Sequence, residues 1–520
     1  MRILVGLLIA LAVAALADPA TTQADDEIVR RTFDNADQLL REGKTDQALR
    51  DFEQVYTAWP DSSLADDALY RAATYWYPAE SMNAATSSGA GAATAASLQK
   101  ARDLLLRIKT KYPTGDQAPR ALLKLGYIAL DPANPQRSLD EAYAAFSGVV
   151  NIHPGSAELD RALLGAGMAD FLAGRYDKSI ASFQRLAEEL PRSPVADDAL
   201  FQAGLAFVSQ GTWVRALEEF QSVRDLNPAG PLAGRALDRL TQVFKMKVQS
   251  GLSGRPLFVQ DKSYAPALPP DAARGDTSLA VDPDNGLRLL DTRTGALLRL
   301  DQAGKVVASE PPQAGTMSVS VDGSGADILA AGIRVKAGAE MISPGRMENG
   351  VLRPIEKISA AVRVGFGSIA MLDEERNEVL LYEGDPAKLK SLYRDATGRA
   401  RLTGLALGTQ GRLYTIDRRG RKIVEITPGG ASREIAPAAG TGAAMEEPVA
   451  VAADDLGDLY VLDRRAGAVV VMTLEGKPVA RIASETGTAG DFSSATALAV
   501  GPRAEIYVHD AKRRTLLRFW

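Results

Sequence analysis

Two periods of apolar and polar positions divide the chain. From about residue 28 to 248, apolar side chains return every three or four positions, which predicts helices. From about 257 to 520 they alternate in short runs broken by Gly, Asp and Pro, which predicts strands and tight turns. Between them, residues 249–256 read Gln-Ser-Gly-Leu-Ser-Gly-Arg-Pro, a break in composition that predicts a linker.

The helical half repeats. A small residue, an aromatic or leucine four positions on, and a proline eight positions after that recur as Ala48, Phe52, Pro60; Ala101, Leu105, Pro113; Ala142, Phe146, Pro154; Ser179, Phe183, Pro191; and Ala216, Phe220, Pro228. The small residue lets two helices approach, and the larger one fills the groove on the same face. Proline then stops the helix. Gly43, Gly174 and Gly211 lie 17 residues before their prolines, where paired helices need a turn. This pattern resembles the tetratricopeptide repeat over 28–248, with five repeats and a capping helix near 232–248. The turns Trp59-Pro60-Asp61-Ser62 and Leu190-Pro191-Arg192-Ser193, leading to Ala65-Asp66-Asp67-Ala68 and Ala196-Asp197-Asp198-Ala199, look like the subtype of bacterial envelope proteins. Among these are the outer-membrane-assembly lipoprotein and the periplasmic protein coordinated with the Tol-Pal system. The lipoprotein's acylated cysteine has no counterpart here. Residues 78–97, nearly all Ala, Ser, Gly and Thr, predict a flexible loop inside the second repeat.

The second half repeats as well. Strands end in Asp291, Asp373, Asp417, Asp463 and Asp510, spaced 82, 44, 46 and 47 residues apart, and the double gap hides a degenerate unit near 316–345. Six units of about 45 residues suit a propeller of four-stranded blades. The phrase resembles the NHL-type six-bladed propeller over 257–520. The fold expected is thus multidomain: an all-α tetratricopeptide solenoid, then an all-β six-bladed propeller. The last unit lacks an outer strand, so residues 256–264 are expected to pair with 515–520 and close the ring, leaving 265–275 as a dispensable spacer.

Residues 1–17 carry Arg2, an apolar run and Ala15-Leu16-Ala17, the pattern of a cleaved signal peptide; an uncleaved anchor is the alternative. No later segment approaches spanning length. Cysteine is absent from the 520 residues, which suits an oxidising compartment. A bacterial periplasm is expected, with secretion beyond it as the alternative. The formal net charge of -5 argues against nucleic acid. It sits in the helical half, where residues 18–250 carry 25 basic and 31 acidic side chains against 34 of each in 251–520.

Candidate chemistry is sparse. With two histidines, His153 and His509, and no cysteine, neither a triad nor a multi-histidine metal site is expected, and no cofactor. His509 takes a strand position held by Leu290, Leu372, Ile416 and Leu462 elsewhere, which predicts a packed side chain. Asp454-Asp455-Leu-Gly-Asp458 and Asp282-Pro-Asp284-Asn285-Gly286 look like calcium-loop fragments without the full spacing, and are expected to be hairpin turns. The turns after three blade aspartates are basic: Arg418 and Arg419; Arg464 and Arg465; Lys512, Arg513 and Arg514. They predict a rim that takes an anionic partner such as an acidic peptide or glycan; solvated turns are the alternative. Tetratricopeptide resemblance implies a peptide groove on the first helix of each repeat, with Arg161, Leu164, Met168, Asp198, Phe201 and Leu205 as candidates. Together these imply a non-catalytic envelope scaffold binding protein partners. A lyase- or lactonase-like propeller enzyme and a peptidoglycan-binding module are the alternatives.

Overall fold

The computed structural model describes residues 19–520 except 83–93, 132–133, 135, 250–255, 270–271, 339, 349, 365–367, 385–387, 438–443 and 484–491. The expected signal peptide, the centre of the 78–97 loop and most of the 249–256 linker lie outside the described residues. Eleven described α-helices precede a six-bladed propeller. Two compact units divide the chain, ending at Ala169 and beginning at Asp170.

The first unit holds α1 (Pro19–Arg41), α2 (Thr45–Ala58), α3 (Ala65–Trp76), α4 (Ala95–Lys111), α5 (Ala118–Leu130), α6 (Leu139–Ile152) and most of α7 (Leu159–Leu172). Its packing follows the repeated phrase. Ala48, Phe52, Ala101, Leu105, Ala142 and Phe146 are all fully buried. Phe33 meets the Phe52 ring edge-on at 5.5 Å, and Tyr127 meets Phe146 at 5.7 Å. Glycine makes room for the ring: a Cβ on Gly126 would lie 2.4 Å from Phe146, and one on Gly165 2.8 Å. Helix α4 starts at Ala95 because Thr94 caps it, its hydroxyl accepting the Ser97 N–H at 3.1 Å. His153 is a helix-terminus residue, capping the end of α6.

The second unit begins with α8 (Tyr176–Glu189), α9 (Ala196–Ser209), α10 (Trp213–Leu226) and α11 (Pro231–Val243), the last running into a π-helical turn, Phe244–Val248. Ser179, Phe183, Ala216 and Phe220 are again fully buried. Gly174 and Gly211 turn the chain at φ +73° each, a conformation that side chains disfavour.

Blades span 277–310, 318–342, 358–394, 402–435, 448–482 and 495–519, each an antiparallel meander. The second blade is the expected degenerate unit; its second strand ends at Ala331, without the aspartate. A hairpin, Gly345–Glu348 and Val351–Pro354, follows it and was not legible in the pattern. First strands of neighbouring blades touch and form the inner ring. The blade aspartates are buried and tie each blade together. Asp291 accepts turn N–H groups of Arg293 and Thr294 at 3.0 and 3.1 Å and that of Ala273 at 3.0 Å. Asp463 does the same for Ala466 at 2.9 Å and for Glu446 at 2.6 Å.

The ring closes as expected. Val259 and Trp520 exchange both backbone hydrogen bonds at 3.0 Å, and the Asp261 N–H donates to Arg518 O at 2.9 Å. The expected spacer 265–275 is corrected: Ala273 is fully buried, its N–H is held by Asp291, and Leu268 and Ala272 pack against the core.

Helix α11 and its π-turn dock on one end of the propeller. Asp238 accepts from Asn285 Nδ2 at 3.0 Å and from the Arg503 guanidinium. Arg239 pairs with Asp455, Lys247 with Asp458 at 2.8 Å, and Lys245 donates to Ala504 O at 3.2 Å. These partners lie in the turns joining first and second strands of blades 1, 5 and 6 or, for Asp458, at the start of the second strand. The opposite strand ends carry the second-to-third-strand turns, where the basic residues lie.

Candidate functional site

On that opposite face, a cleft of about 620 Å³ opens across blades 3 to 5. Its walls are Lys357, Asn377, Arg399, Arg401, Arg418 and Arg419, with Glu374, Glu446 and Glu447 among them. Two kinds of segment build it. Arg418 and Arg419 come from the turn after Asp417, whose carboxylate fixes the turn by accepting the Arg419 N–H at 3.1 Å. Arg399, Arg401, Glu446 and Glu447 come from loops entering the first strands of blades 4 and 5. The same Asp417 carboxylate accepts the Arg401 N–H at 3.0 Å, so one buried acid seats both walls.

Charge in the cleft is mixed. Arg418 reaches Glu447 at 3.5 Å, Arg464 reaches it at 4.0 Å, Arg465 pairs with Glu446 at 3.3 Å and Lys357 with Glu374 at 3.3 Å. Every one of these pairs is substantially exposed, so each is weak and open to exchange for another anion. Among the described residues, no carboxylate lies in ion-pair range of Arg399, Arg401 or Arg419. The structure thus gathers three of the expected rim residues, Arg418, Arg464 and Arg465, around two glutamates, and Arg419 lines the same cleft. Lys512, Arg513 and Arg514 stand apart from the cleft on blade 6, exposed, with Arg513 4.0 Å from Asp510.

Arg399, Arg401, Glu446 and Glu447 escaped the sequence reading, which followed only the turns after the aspartates. Strand parity was the missed signal. In a four-stranded meander, the loop entering the first strand lies at the same end as the turn leaving the second.

The groove candidates fare unevenly. In the first unit, Arg161 is half-buried and 3.6 Å from Glu158, with Leu164 and Met168 half-buried on the same helix. In the second unit, Asp198 and Leu205 are half-buried, and burial pushes the Asp198 carboxyl upward. Phe201 is only 3% exposed. It packs on Phe220 at 5.5 Å under the Arg235 guanidinium, so it belongs to the core and offers nothing to a ligand.

His509 and the two calcium-like fragments serve the fold. His509 is fully buried, its Nδ1 2.8 Å from Thr277 Oγ1, and burial pushes its pKa down to about 4. The calcium-like fragments are hairpin turns: Asp282 Oδ1 accepts from Asp284 and Gly286 N–H at 3.0 and 2.6 Å. Asp454 Oδ1 likewise accepts from Leu456 and Asp458 N–H at 3.0 and 2.8 Å, while the Tyr460 hydroxyl donates to its Oδ2 at 2.9 Å. Burial, and then Asp458, push the Asp454 carboxyl up to about 7. Among the described residues, no helix is long and apolar enough to cross a membrane.

Residues 161–193 match the sequence model of a tetratricopeptide repeat. No curated protein matches the chain. Among solved structures, a streptogramin B lyase is 14% identical, with 51% of this chain and 97% of that chain covered and a TM-score of 0.36. A gluconolactonase from Xanthomonas campestris is 13% identical, with 50% and 88% covered and a TM-score of 0.35. An auxiliary nutrient binding protein from Bacteroides thetaiotaomicron is 13% identical, with 47% and 69% covered and a TM-score of 0.36. At such identities and scores, none of their activities or ligands carries over to this chain.

Proposed function

We propose that this protein is a non-catalytic adaptor, exported to the bacterial envelope, that holds protein partners on its repeats and on the turn face of its propeller. The observation that carries this reading is the open cleft across blades 3 to 5. Three exposed arginines lie there with no ion-pair partner among the described residues, beside weak pairs that another carboxylate can displace. That arrangement suits an acidic peptide segment. Export rests on the sequence pattern of residues 1–17 and on the absence of cysteine.

A lyase- or lactonase-like reaction finds little support in the propeller's side chains. The inner strands read Thr-Ser-Leu-Ala-Val, Ser-Val-Ser-Val, Ile-Ser-Ala-Ala-Val-Arg-Val, Leu-Thr-Gly-Leu-Ala-Leu, Pro-Val-Ala-Val-Ala-Ala and Ala-Thr-Ala-Leu-Ala-Val. They hold no histidine or carboxylate to bind a metal or move a proton. Their one charged residue, Arg363, pairs with Asp322 at 2.9 Å.

Crosslinking in the native envelope, with identification of the captured proteins, tests the reading. The discriminating variant is Arg399→Ser, Arg401→Ser, Arg419→Ser. Capture by the wild type should weaken as salt rises, because exposed charges are screened over about 10 Å at 0.1 M. The folded triple variant should capture less and lose that salt dependence. Equal salt curves for the two proteins would remove the cleft from the proposal.

A further inference from the structure

Where the π-helical turn Phe244–Val248 meets blade 5, two carboxylates and one lysine are shut away from water. Asp454 lies in the turn joining the blade's first two strands and Asp458 starts the second; they are 5% and 1% exposed. Lys247 Nζ donates to Asp458 Oδ2 at 2.8 Å, while the buried Asp458 Oδ1 has no hydrogen-bond partner. The other cations of the joint are engaged elsewhere: Arg239 with Asp455, and Lys245 with Ala504 O, beside Glu505. Glu475, from the hairpin joining the third and fourth strands, adds negative charge towards Asp458, and Tyr414 of blade 4 faces Asp454 with a neutral hydroxyl. Two buried anions thus share one cation, an imbalance that burial makes costly. One proton on the pair removes it.

Tyr460 couples that proton to the docked turn. Its buried hydroxyl has one proton and two acceptors in reach: Asp454 Oδ2 at 2.9 Å and Met246 Sδ, on the π-helical turn, at 3.9 Å. While Asp454 is ionised, the carboxylate is the stronger acceptor and keeps the proton. Once Asp454 is protonated on Oδ2, its own O–H donates to the Tyr460 oxygen, and the tyrosine proton is free to turn to Met246. Protonation therefore balances the charge and adds a contact between blade 5 and the turn docked on it.

We propose that Asp454, Asp458 and Tyr460 form a proton-operated latch: one proton on the carboxylate pair fastens the π-helical turn to blade 5, and its loss loosens that joint. Burial, and then the Asp458 charge, push Asp454 from 3.8 up to about 7 in the docked state; Lys247 opposes the shift and is outweighed. When the turn lifts, water reaches the carboxylate and returns it towards its ordinary value. Between the two values only the docked state holds the proton. Docking therefore weakens as pH rises through that window and is weakest above it.

The test is hydrogen exchange of the full chain, followed in residues 244–248 and corrected for the intrinsic pH dependence of exchange. One proton bound at about pH 7 predicts about tenfold greater protection at pH 6 than at pH 8. Asp454→Asn, which stays neutral, should be as well protected at pH 8 as at pH 6. Asp458→Asn leaves Lys247 to a single carboxylate and should move the change to lower pH. Asp455→Asn, at an exposed position of the same turn, should keep the wild-type ratio. Equal wild-type protection at the two pH values overturns the latch, whether or not the variants fold. So does a wild-type ratio retained by Asp454→Asn or abolished by Asp455→Asn, since another group would then titrate.

Discussion

His509 shows what one residue costs and decides. Its strand position is filled in four other blades by Leu290, Leu372, Ile416 and Leu462, all fully buried. The histidine is sealed as tightly, with Nδ1 on Thr277 and Nε2 without a partner. Burial disfavours its charged form, so its pKa falls from 6.5 to about 4 on folding. Between those values the unfolded chain binds the proton and the native state does not. Stability is therefore full above pH 6.5 and is lost as pH falls towards 4, by an amount on the order of 3 kcal/mol. Replacing His509 by Leu should flatten the acid side of the stability curve, measured by urea unfolding at pH 7, 5.5 and 4.5. Parallel curves for wild type and variant would show that other groups set the acid limit.

At the scale of elements, the weak point of a propeller is the seam where the ring is joined. Strand Thr515–Phe519 ends the last blade, and the segment around Val259 covers its edge from the other end of the domain. Side chains reinforce the seam. Arg518 pairs with Asp261, whose carboxyl is held down to about 2 by hydrogen bonds from Ser263 and Arg518. The Arg518 guanidinium also lies 4.3 Å from the Tyr264 ring centre. Val259→Pro removes the N–H that reaches Trp520 O. It should cost about 1–3 kcal/mol. Because every blade leans on its neighbours, the loss should appear as a lower melting temperature of the whole propeller in one transition. Fraying confined to residues 515–520, seen by hydrogen exchange, would show instead that the seam does not hold the ring.

Across the molecule, compactness does not follow the change in composition near residue 250. The last helices share one compact unit with the propeller. Met246, Phe258, Leu456 and Tyr460 join one apolar cluster with Phe201 and Phe220. Asp238 is central to the polar part of that contact: 5% exposed, it receives Arg503 and Asn285 together. Asp238→Ala would strand both donors, at a cost of roughly 2 kcal/mol. Faster hydrogen exchange is expected in α11 and in the 501–505 turn together, ahead of the outer blades. Unchanged protection in α11 would mean that apolar packing alone seats the helices. This docking also leaves the turn face with the cleft as the propeller end turned away from α11.

The repeat phrase, the five prolines, the six blades, the degenerate second blade and the closing strand were all legible in the sequence. Each rests on a local rule: the period of apolar positions, the turn chemistry of Gly, Pro and Asp, or the need to cover a strand edge. The hairpin at 345–354 was missed because it interrupts the blade period without a signal of its own. Tertiary structure alone decided which residues of remote segments meet. Phe201 had groove spacing, yet Phe220 and Arg235 enclose it, because helical periodicity identifies a buried stripe without saying what covers it. Arg401 and Arg418 share a cleft because one carboxylate, Asp417, holds the segments that carry them. Asp116 comes within 4.8 Å of Asp66, 50 residues away in the chain, because Gly115 lets its turn close on that carboxylate. Such meetings depend on distances between elements, and no local pattern in the sequence records them.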